Sequence, residues 1–305
     1  MPYPNFYLVG VPKAGTTSFY YYLKQHPDVF LSDVKEPNFF SRYPRSSSLV
    51  KPGCGPGDDL TTVWMNDEKA YLRLFRRWSP AKIIGEGSLS YLYSETAAEN
   101  IFGKVPNAKI LVILRNPVDR AFSHYLHMVR DNRETLTFRA ALDQEDVRIK
   151  RGWEFSWHYK NVGLYYKQLA RYANVFCEDN IAVMFYQDFV DNPVSFMRGV
   201  FRFLNISPDF MAKMSIRHNP SGYPRFRWVN AFCSKPNPIK SLAKAVIPHD
   251  VGHNIKERLM AANLRAKPKM SISDRRHLIE FFYDDVRQLQ RYVGRDLSGW
   301  LTCDD

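Results

Sequence analysis

Short apolar runs alternate with segments of helical period along most of the chain. Phe6–Gly10 is a compact apolar run and predicts a strand; Thr17–Gln25 predicts a helix that stops before Pro27. Lys82–Gly85 predicts a short strand. Lys109–Leu114 reads Lys-Ile-Leu-Val-Ile-Leu, without polar alternation, the pattern of a strand buried on both faces. Asp119–Arg130 has helical spacing, with Asp119 as the expected N-cap. Ile181–Tyr186 predicts another buried strand, and Pro193–Leu204 a helix whose proline suits the first turn. Ser273–Tyr292 predicts a long helix opened by Ser273 or Asp274. Strand, loop and helix in repetition predict an α/β fold: a central, mainly parallel β-sheet flanked by helices, with ligands at the carboxyl ends of the strands.

Two stretches break the pattern. Residues 44–59 are rich in Pro, Gly and Ser and read as a long loop. Residues 219–238 contain Pro220, Pro224, Pro236 and Pro238 and read as a second irregular segment. Neither reads as a linker between independent cores. The expected organisation is one domain over residues 1–305, with a core at about 5–205 and a covering loop plus a basic helical part at about 206–305.

Composition narrows the class. Apolar residues at 45% and charged residues at 24% exclude a disordered or collagen-like chain. Lys and Arg total 43 against 31 Asp and Glu, a formal net charge of +12. Residues 213–276 hold 14 Lys and Arg against three acids (Asp250, Glu257 and Asp274), so this stretch alone carries +11. A localised excess implies an anionic partner. The first residues carry no basic-apolar leader pattern, and no uncharged apolar run approaches the ~18 residues of a membrane span. The expectation is a cytoplasmic chain without an integral membrane segment. Cys54, Cys177, Cys233 and Cys303 are far apart and form no CxxC pair, so neither a zinc site nor a disulfide framework is expected. His249 and His253 have an i,i+4 spacing, but Gly252 and Pro248 weaken the helix that a metal pair would need. No metal is expected.

The chemistry concentrates in two motifs. Gly10-Val-Pro12-Lys13-Ala14-Gly15-Thr16-Thr17-Ser18 follows the first strand and opens a helix. Glycines for the tight turn, helix-start N–H groups, three hydroxyls and a lysine make a P-loop-like anion cradle. It is not a Walker motif. GxxxxGK[ST] puts Lys directly after the second glycine, whereas Thr16 stands there and Lys13 precedes Gly15. No Asp follows the Lys109–Leu114 strand to hold Mg²⁺; the next residue is Arg115. A kinase or ATPase fits poorly. The second motif runs from Arg115 at that strand end to Ser123 on the following helix, a guanidinium and a hydroxyl for one phosphate. Arg120 reads as a structural ion-pair residue.

The Pro12–Ser18 loop, with Arg115 and Ser123 eight residues apart, resembles the 5′-phosphosulfate and 3′-phosphate motifs of sulfotransferases that use 3′-phosphoadenosine-5′-phosphosulfate (PAPS). Lys35-Glu36-Pro37-Asn38-Phe39-Phe40, Gly85-Glu86-Gly87-Ser88-Leu89-Ser90-Tyr91-Leu92, Gly163-Leu164-Tyr165 and Gly294-Arg295-Asp296-Leu297 with Trp300 are similar to further segments of the carbohydrate/bacterial-type branch. The resemblance implies transfer of a sulfuryl group from PAPS to a hydroxyl or amine of a glycan, glycolipid or small metabolite, leaving 3′,5′-ADP. It implies Lys13 on the developing negative charge and Glu36 as general base. His158, in Trp153-Glu-Phe-Ser-Trp157-His158-Tyr159, is the second candidate base. That aromatic cluster reads equally as acceptor-pocket wall or as core. Asn219-Pro-Ser221-Gly222-Tyr223-Pro-Arg225 resembles the loop that covers the nucleotide's 3′-phosphate; Ser221 replaces the usual basic residue, and Arg225 or Arg227 could supply the charge. Gly87 and Asn38 stand where some polysaccharide-modifying members carry Lys and His. The donor accounts for part of the basic patch, and nucleic acid is not an expected partner. The alternative is a non-catalytic module of the same fold that binds an anionic polymer or membrane surface.

Overall fold

The computed structural model describes residues 2–41, 64–78, 80–214, 223–224, 264–265 and 268–303. Five parallel strands make one sheet: β1 (Phe6–Leu8), β2 (Val29–Leu31), β3 (Ile83–Gly87), β4 (Lys109–Leu114) and β5 (Ile181–Phe185), in the order β2-β3-β1-β4-β5. Two short strands, β6 (Tyr223–Pro224) and β7 (Leu264–Arg265), pair antiparallel. Among the described residues the helices are α1 (Thr16–Leu23), α2 (Glu68–Arg73), α3 (Ser90–Tyr93), α4 (Ala97–Phe102), α5 (Pro117–Arg130), α6 (Phe138–Asp143), α7 (Glu145–Lys150), α8 (Tyr165–Ala173), α9 (Tyr186–Asp191), α10 (Pro193–Phe203) and α11 (Ile272–Val293).

The strand order follows burial. β1 is flanked by β3 and β4, and all three of its residues are buried. β4 is buried from Ile110 to Leu114, as its unbroken apolar run requires. β5 carries the same kind of sequence but lies at the sheet edge, so Ile181–Met184 are only half-buried; the expectation of a fully buried strand is corrected there. The opposite edge, β2, is three residues long and left no pattern in the sequence to find. Because β2 lies across β3 from β1, and β4 lies on β1's other side, the chain reverses its direction of travel at β1. Such a reversal opens a crevice at the carboxyl ends of the strands.

Two helix starts differ from expectation for a local reason. Pro117 occupies the first turn of α5, so the cap is Asn116, whose Oδ1 accepts the N–H groups of Val118 at 3.0 Å and Asp119 at 3.4 Å. Asp119 instead pairs with Arg275 on α11 at 2.9 Å. α11 is capped by Ser271, not by Ser273 or Asp274; its Oγ accepts the Asp274 N–H at 3.0 Å and donates to the Asp274 carboxylate at 2.7 Å. α11 buries Leu278, Phe282, Val286 and Leu289, a stripe at i,i+4 and i,i+3 spacing packed on α8 and α5.

Cys177 and Cys303 are exposed free thiols. Cys54, Cys233, His249, His253, the 44–59 loop and most of the basic 213–276 stretch lie outside the described residues. No described helix is long and apolar enough to cross a membrane.

Candidate active site

The cradle forms where β1 hands over to α1. Val9 N–H donates to the Leu111 carbonyl at 2.9 Å and Val11 N–H to Ile113 at 3.3 Å, so the loop first runs flat along β4. Gly10 permits this approach: a Cβ there would stand 2.9 Å from the Ile113 backbone N and O. The chain then turns through Pro12, Lys13 (φ 70°), buried Ala14 and Gly15 (φ 72°). Gly15 is the N-cap of α1 and supplies no side-chain cap, which suits a helix start built to meet an outside anion. Thr16 is buried; Thr17 and Ser18 are half-buried in the first turn.

Arg115 joins this cradle from the end of β4. Its Nη1 donates to the Lys13 carbonyl at 3.0 Å, which ties the two sequence motifs into one site. Tyr186, the first residue of α9, supports both. Its ring lies 5.1 Å from the Arg115 guanidinium, and its Cε2 would stand 2.9 Å from a Cβ on Gly15. The sequence reading placed Tyr186 only as the last residue of a strand; its ring contact depends on β5 lying beside β4. Tyr165 O–H donates to the Arg115 carbonyl at 2.9 Å, giving the Gly-Leu-Tyr element a place under the same residue. Ser123 is buried on α5, at the end of its second turn.

Arg120 is a buried structural residue and, among the described residues, it bonds a carbonyl and an imidazole, not a carboxylate. It is fully buried, donates from Nη2 to the Tyr159 carbonyl and stands 3.4 Å from His124 Nδ1. Burial lowers its pKa. His124 and His127 are held well below the usual histidine range, first by burial and then by surrounding positive charge that includes Lys13.

Glu36 follows β2 and hooks onto the end of β3: its N–H donates to the Gly87 carbonyl at 3.0 Å. Its φ is 61°, in the left-handed region, and its carboxylate pairs with the neighbouring Lys35 ammonium. Asn38 (φ 54°) is buried, and its Nδ2 donates to the Glu36 carbonyl at 2.8 Å. Asparagine tolerates this backbone better than most residues, which suits it to the position. Gly87 is backed by Tyr20; a Cβ would stand 3.2 Å from its ring, so a lysine there requires that ring to give way.

His158 is buried, accepts or donates at Nδ1 to Tyr93 O–H at 2.9 Å, and leaves Nε2 without a partner. Burial, assisted by the Arg148 charge, lowers its pKa to about 4. The surrounding cluster is core-like: Phe155, Trp157 and Tyr159 are buried, and Trp153 stands edge-on to Trp157 at 5.5 Å. Within it, Glu154 is wholly buried with Oε1 unpartnered, and burial raises it to about 6, with the Glu36 charge a smaller push in the same direction. In the sequence Glu154 is one acid within an aromatic segment; its burial is what distinguishes it. Ser221, Gly222 and Arg225, with Arg227, lie outside the described residues. Tyr223 belongs to β6, which lies against α5, the Ser123 helix.

The arrangement offers a cationic anion cradle beside a carboxylate on a strained turn. Residues 4–209 match the family model described as Sulfotransferase family. The fold is similar to the crystal structure of a sulfotransferase from Alicyclobacillus acidocaldarius, with a TM-score of 0.76 and 34% identity over 99% of this chain and 100% of that one. In sequence the chain is similar to mouse carbohydrate sulfotransferase 15, 27% identical over 67% of this chain and 44% of that protein. It is also similar to mouse heparan sulfate glucosamine 3-O-sulfotransferase 3B1, 26% identical over 97% of this chain and 65% of that protein. The chain thus spans less than half the length of the first of these curated relatives.

Proposed function

Since the chain belongs to the sulfotransferase family, we propose that it moves a sulfuryl group from PAPS to a hydroxyl or amine of a glycan, glycolipid or small metabolite. The glycan option draws support from the names of the carbohydrate and heparan sulfate relatives. The observation that carries the reading is backbone strain. Among the described residues, five non-glycine positions have positive φ, and the only two that are not asparagine are Lys13 and Glu36. Such strain persists only where the surroundings over-determine it, and it gathers at functional sites.

The cradle fits an anionic nucleotide on its own evidence of shape: a glycine helix cap without a side-chain partner, and a guanidinium already tied to the loop. The Pro12–Ser18 loop, Arg115 and Ser123 would hold the donor, which supplies an activated sulfuryl group and a phosphate leaving group. Lys13 neutralises negative charge that grows on the departing oxygen, a contribution made mostly in the transition state. Glu36 takes the proton from the acceptor. His158 is the weaker candidate, since it is buried in a core-like aromatic cluster with Nδ1 already engaged by Tyr93.

A thermal-shift comparison tests the donor reading. 3′,5′-ADP raises the midpoint by several degrees, and ATP with Mg²⁺ raises it far less. Equal shifts, or none with 3′,5′-ADP, would overturn it. For the chemistry, sulfur-labelled PAPS is offered with desulfated glycosaminoglycans, lipid extracts and small phenols as acceptors. Glu36→Gln lowers turnover by about 10²–10⁴-fold while 3′,5′-ADP affinity stays near normal. Retained turnover moves the base to His158.

A further inference from the structure

One buried carboxylate has no part in the scheme above. Glu86 lies in β3 opposite Tyr7 and is wholly buried. Among the described residues it forms no ion pair. Three hydroxyls serve it instead: Tyr71 at 2.7 Å and Tyr91 at 2.6 Å on Oε1, and Ser88 at 2.6 Å on Oε2.

Two of those hydroxyls have a second task. Ser88 Oγ accepts the Asn38 N–H at 3.0 Å, and Tyr91 Oη accepts the Phe40 N–H at 3.3 Å. A hydroxyl has one proton to give. With each proton committed to Glu86, each oxygen is left presenting a lone pair to the loop. The loop so held is the one that carries Glu36. Asn38 Nδ2 grips the Glu36 carbonyl at 2.8 Å, and Ser90 O–H fixes Asn38 Oδ1 at 2.5 Å. Glu36 and Asn38 both hold positive φ, so the turn relaxes unless these bonds are kept.

We propose that Glu86 is a positioning residue for Glu36: it orients the Ser88 and Tyr91 hydroxyls, which fix the Asn38 and Phe40 amides and thereby aim the Glu36 carboxylate. The proposal rests on the reading of Glu36 as proton acceptor. Burial raises Glu86 to about 7, net of the opposing pull of its three hydroxyl donors, so these hydrogen bonds are what hold the buried carboxylate down to that value.

The test compares three variants with the parent in transfer from PAPS to desulfated heparan and to water. Glu86→Gln keeps the volume but turns an acceptor into an amide donor, so at least one hydroxyl must rotate. Ser88→Ala removes one link to the loop and is the second variant should Glu86→Gln fold poorly. Tyr71→Phe removes a Glu86 bond from a hydroxyl with no bond to the loop, and so reports the cost of disturbing the pocket alone. The expected result is a kcat loss of roughly tenfold to hundredfold for Glu86→Gln and Ser88→Ala, with 3′,5′-ADP affinity within about twofold of the parent. Tyr71→Phe loses stability but keeps kcat. Combining Glu86→Gln with Glu36→Gln costs no more than Glu36→Gln alone, because the aimed group is already gone. Additive losses, or equal kcat losses in Tyr71→Phe and Glu86→Gln, overturn the proposal. A fully active Glu86→Gln beside an inactive Glu36→Gln overturns it while leaving the base assignment standing. An active Glu36→Gln removes both.

Discussion

Gly10 and Gly15 sit five residues apart and are constrained differently. At Gly10 the obstacle is backbone: a Cβ would stand 2.9 Å from both N and O of Ile113, and β1 and β4 would have to part. At Gly15 the obstacle is a positive φ of 72° and an aromatic ring that has some freedom to shift. Gly15→Ala is therefore expected to cost about 1–3 kcal/mol and Gly10→Ala more than about 3 kcal/mol, ranked by urea denaturation. Equal costs would mean that the loop does not hug β4 in solution. His158 allows a sign-definite prediction. Its folded pKa of about 4 lies below the ordinary 6.5, so between these values the unfolded chain binds a proton that the folded chain refuses. This contribution to stability is full above pH 6.5 and is lost as pH falls toward 4. His158→Gln should remove about 2 kcal/mol of the wild-type stability difference between pH 5 and pH 7. Denaturant melts at the two pH values check this; an unchanged difference would place His158 in water.

At the scale of elements, α8 has no cap of its own. Its N-cap position is Leu164, and the first N–H groups of the helix are taken by α11: Asp285 accepts from Tyr166 at 3.0 Å and from Lys167 at 3.2 Å. α8 begins with Tyr165, whose hydroxyl holds the Arg115 carbonyl. A distant helix therefore steadies the start of α8 and, through Tyr165, the backbone of Arg115. Asp285→Ala is expected to lower stability by about 1–3 kcal/mol, the cost of leaving helix-start amides without a cap, and to weaken 3′,5′-ADP binding. Denaturation and calorimetric titration read the two effects separately. Loss of stability with unchanged affinity would show that α8 does not transmit to Arg115. None of this was legible in the sequence, where Asp285 is one acid among several on a long amphipathic helix. The strands that carry the cradle were legible because β4 and β1 are buried on both faces and therefore unbroken in hydrophobicity. β2 was not, because a three-residue edge strand has no period to detect.

For the whole molecule, the charge of +12 is a statement about encounter rather than fold. A nucleotide that carries several negative charges approaches a strongly positive chain, and salt screens that attraction. The affinity for 3′,5′-ADP is expected to fall about fivefold or more between 50 mM and 500 mM salt, measured by titration calorimetry. A flat response would confine recognition to the hydrogen bonds of the cradle. The described part of the molecule locates the cationic contribution nearest the site in Lys13 and Arg115, joined by one hydrogen bond.

The order and type of the residues along the chain determined the α/β class, the two anion motifs, and the family they resemble, because backbone turns, hydroxyls and cations at strand ends are local features. Tertiary structure decided how they combine. It brought Arg115 onto the Lys13 carbonyl, set Tyr186 under both motifs, and buried His158 so that its imidazole stays neutral. It also turned Glu86, an ordinary acid in a sequence motif, into the centre of a hydroxyl network beneath Glu36. The physical reason is the same in each case. Burial and hydrogen-bond direction depend on residues far apart in the chain, and pKa and aim follow from burial and direction.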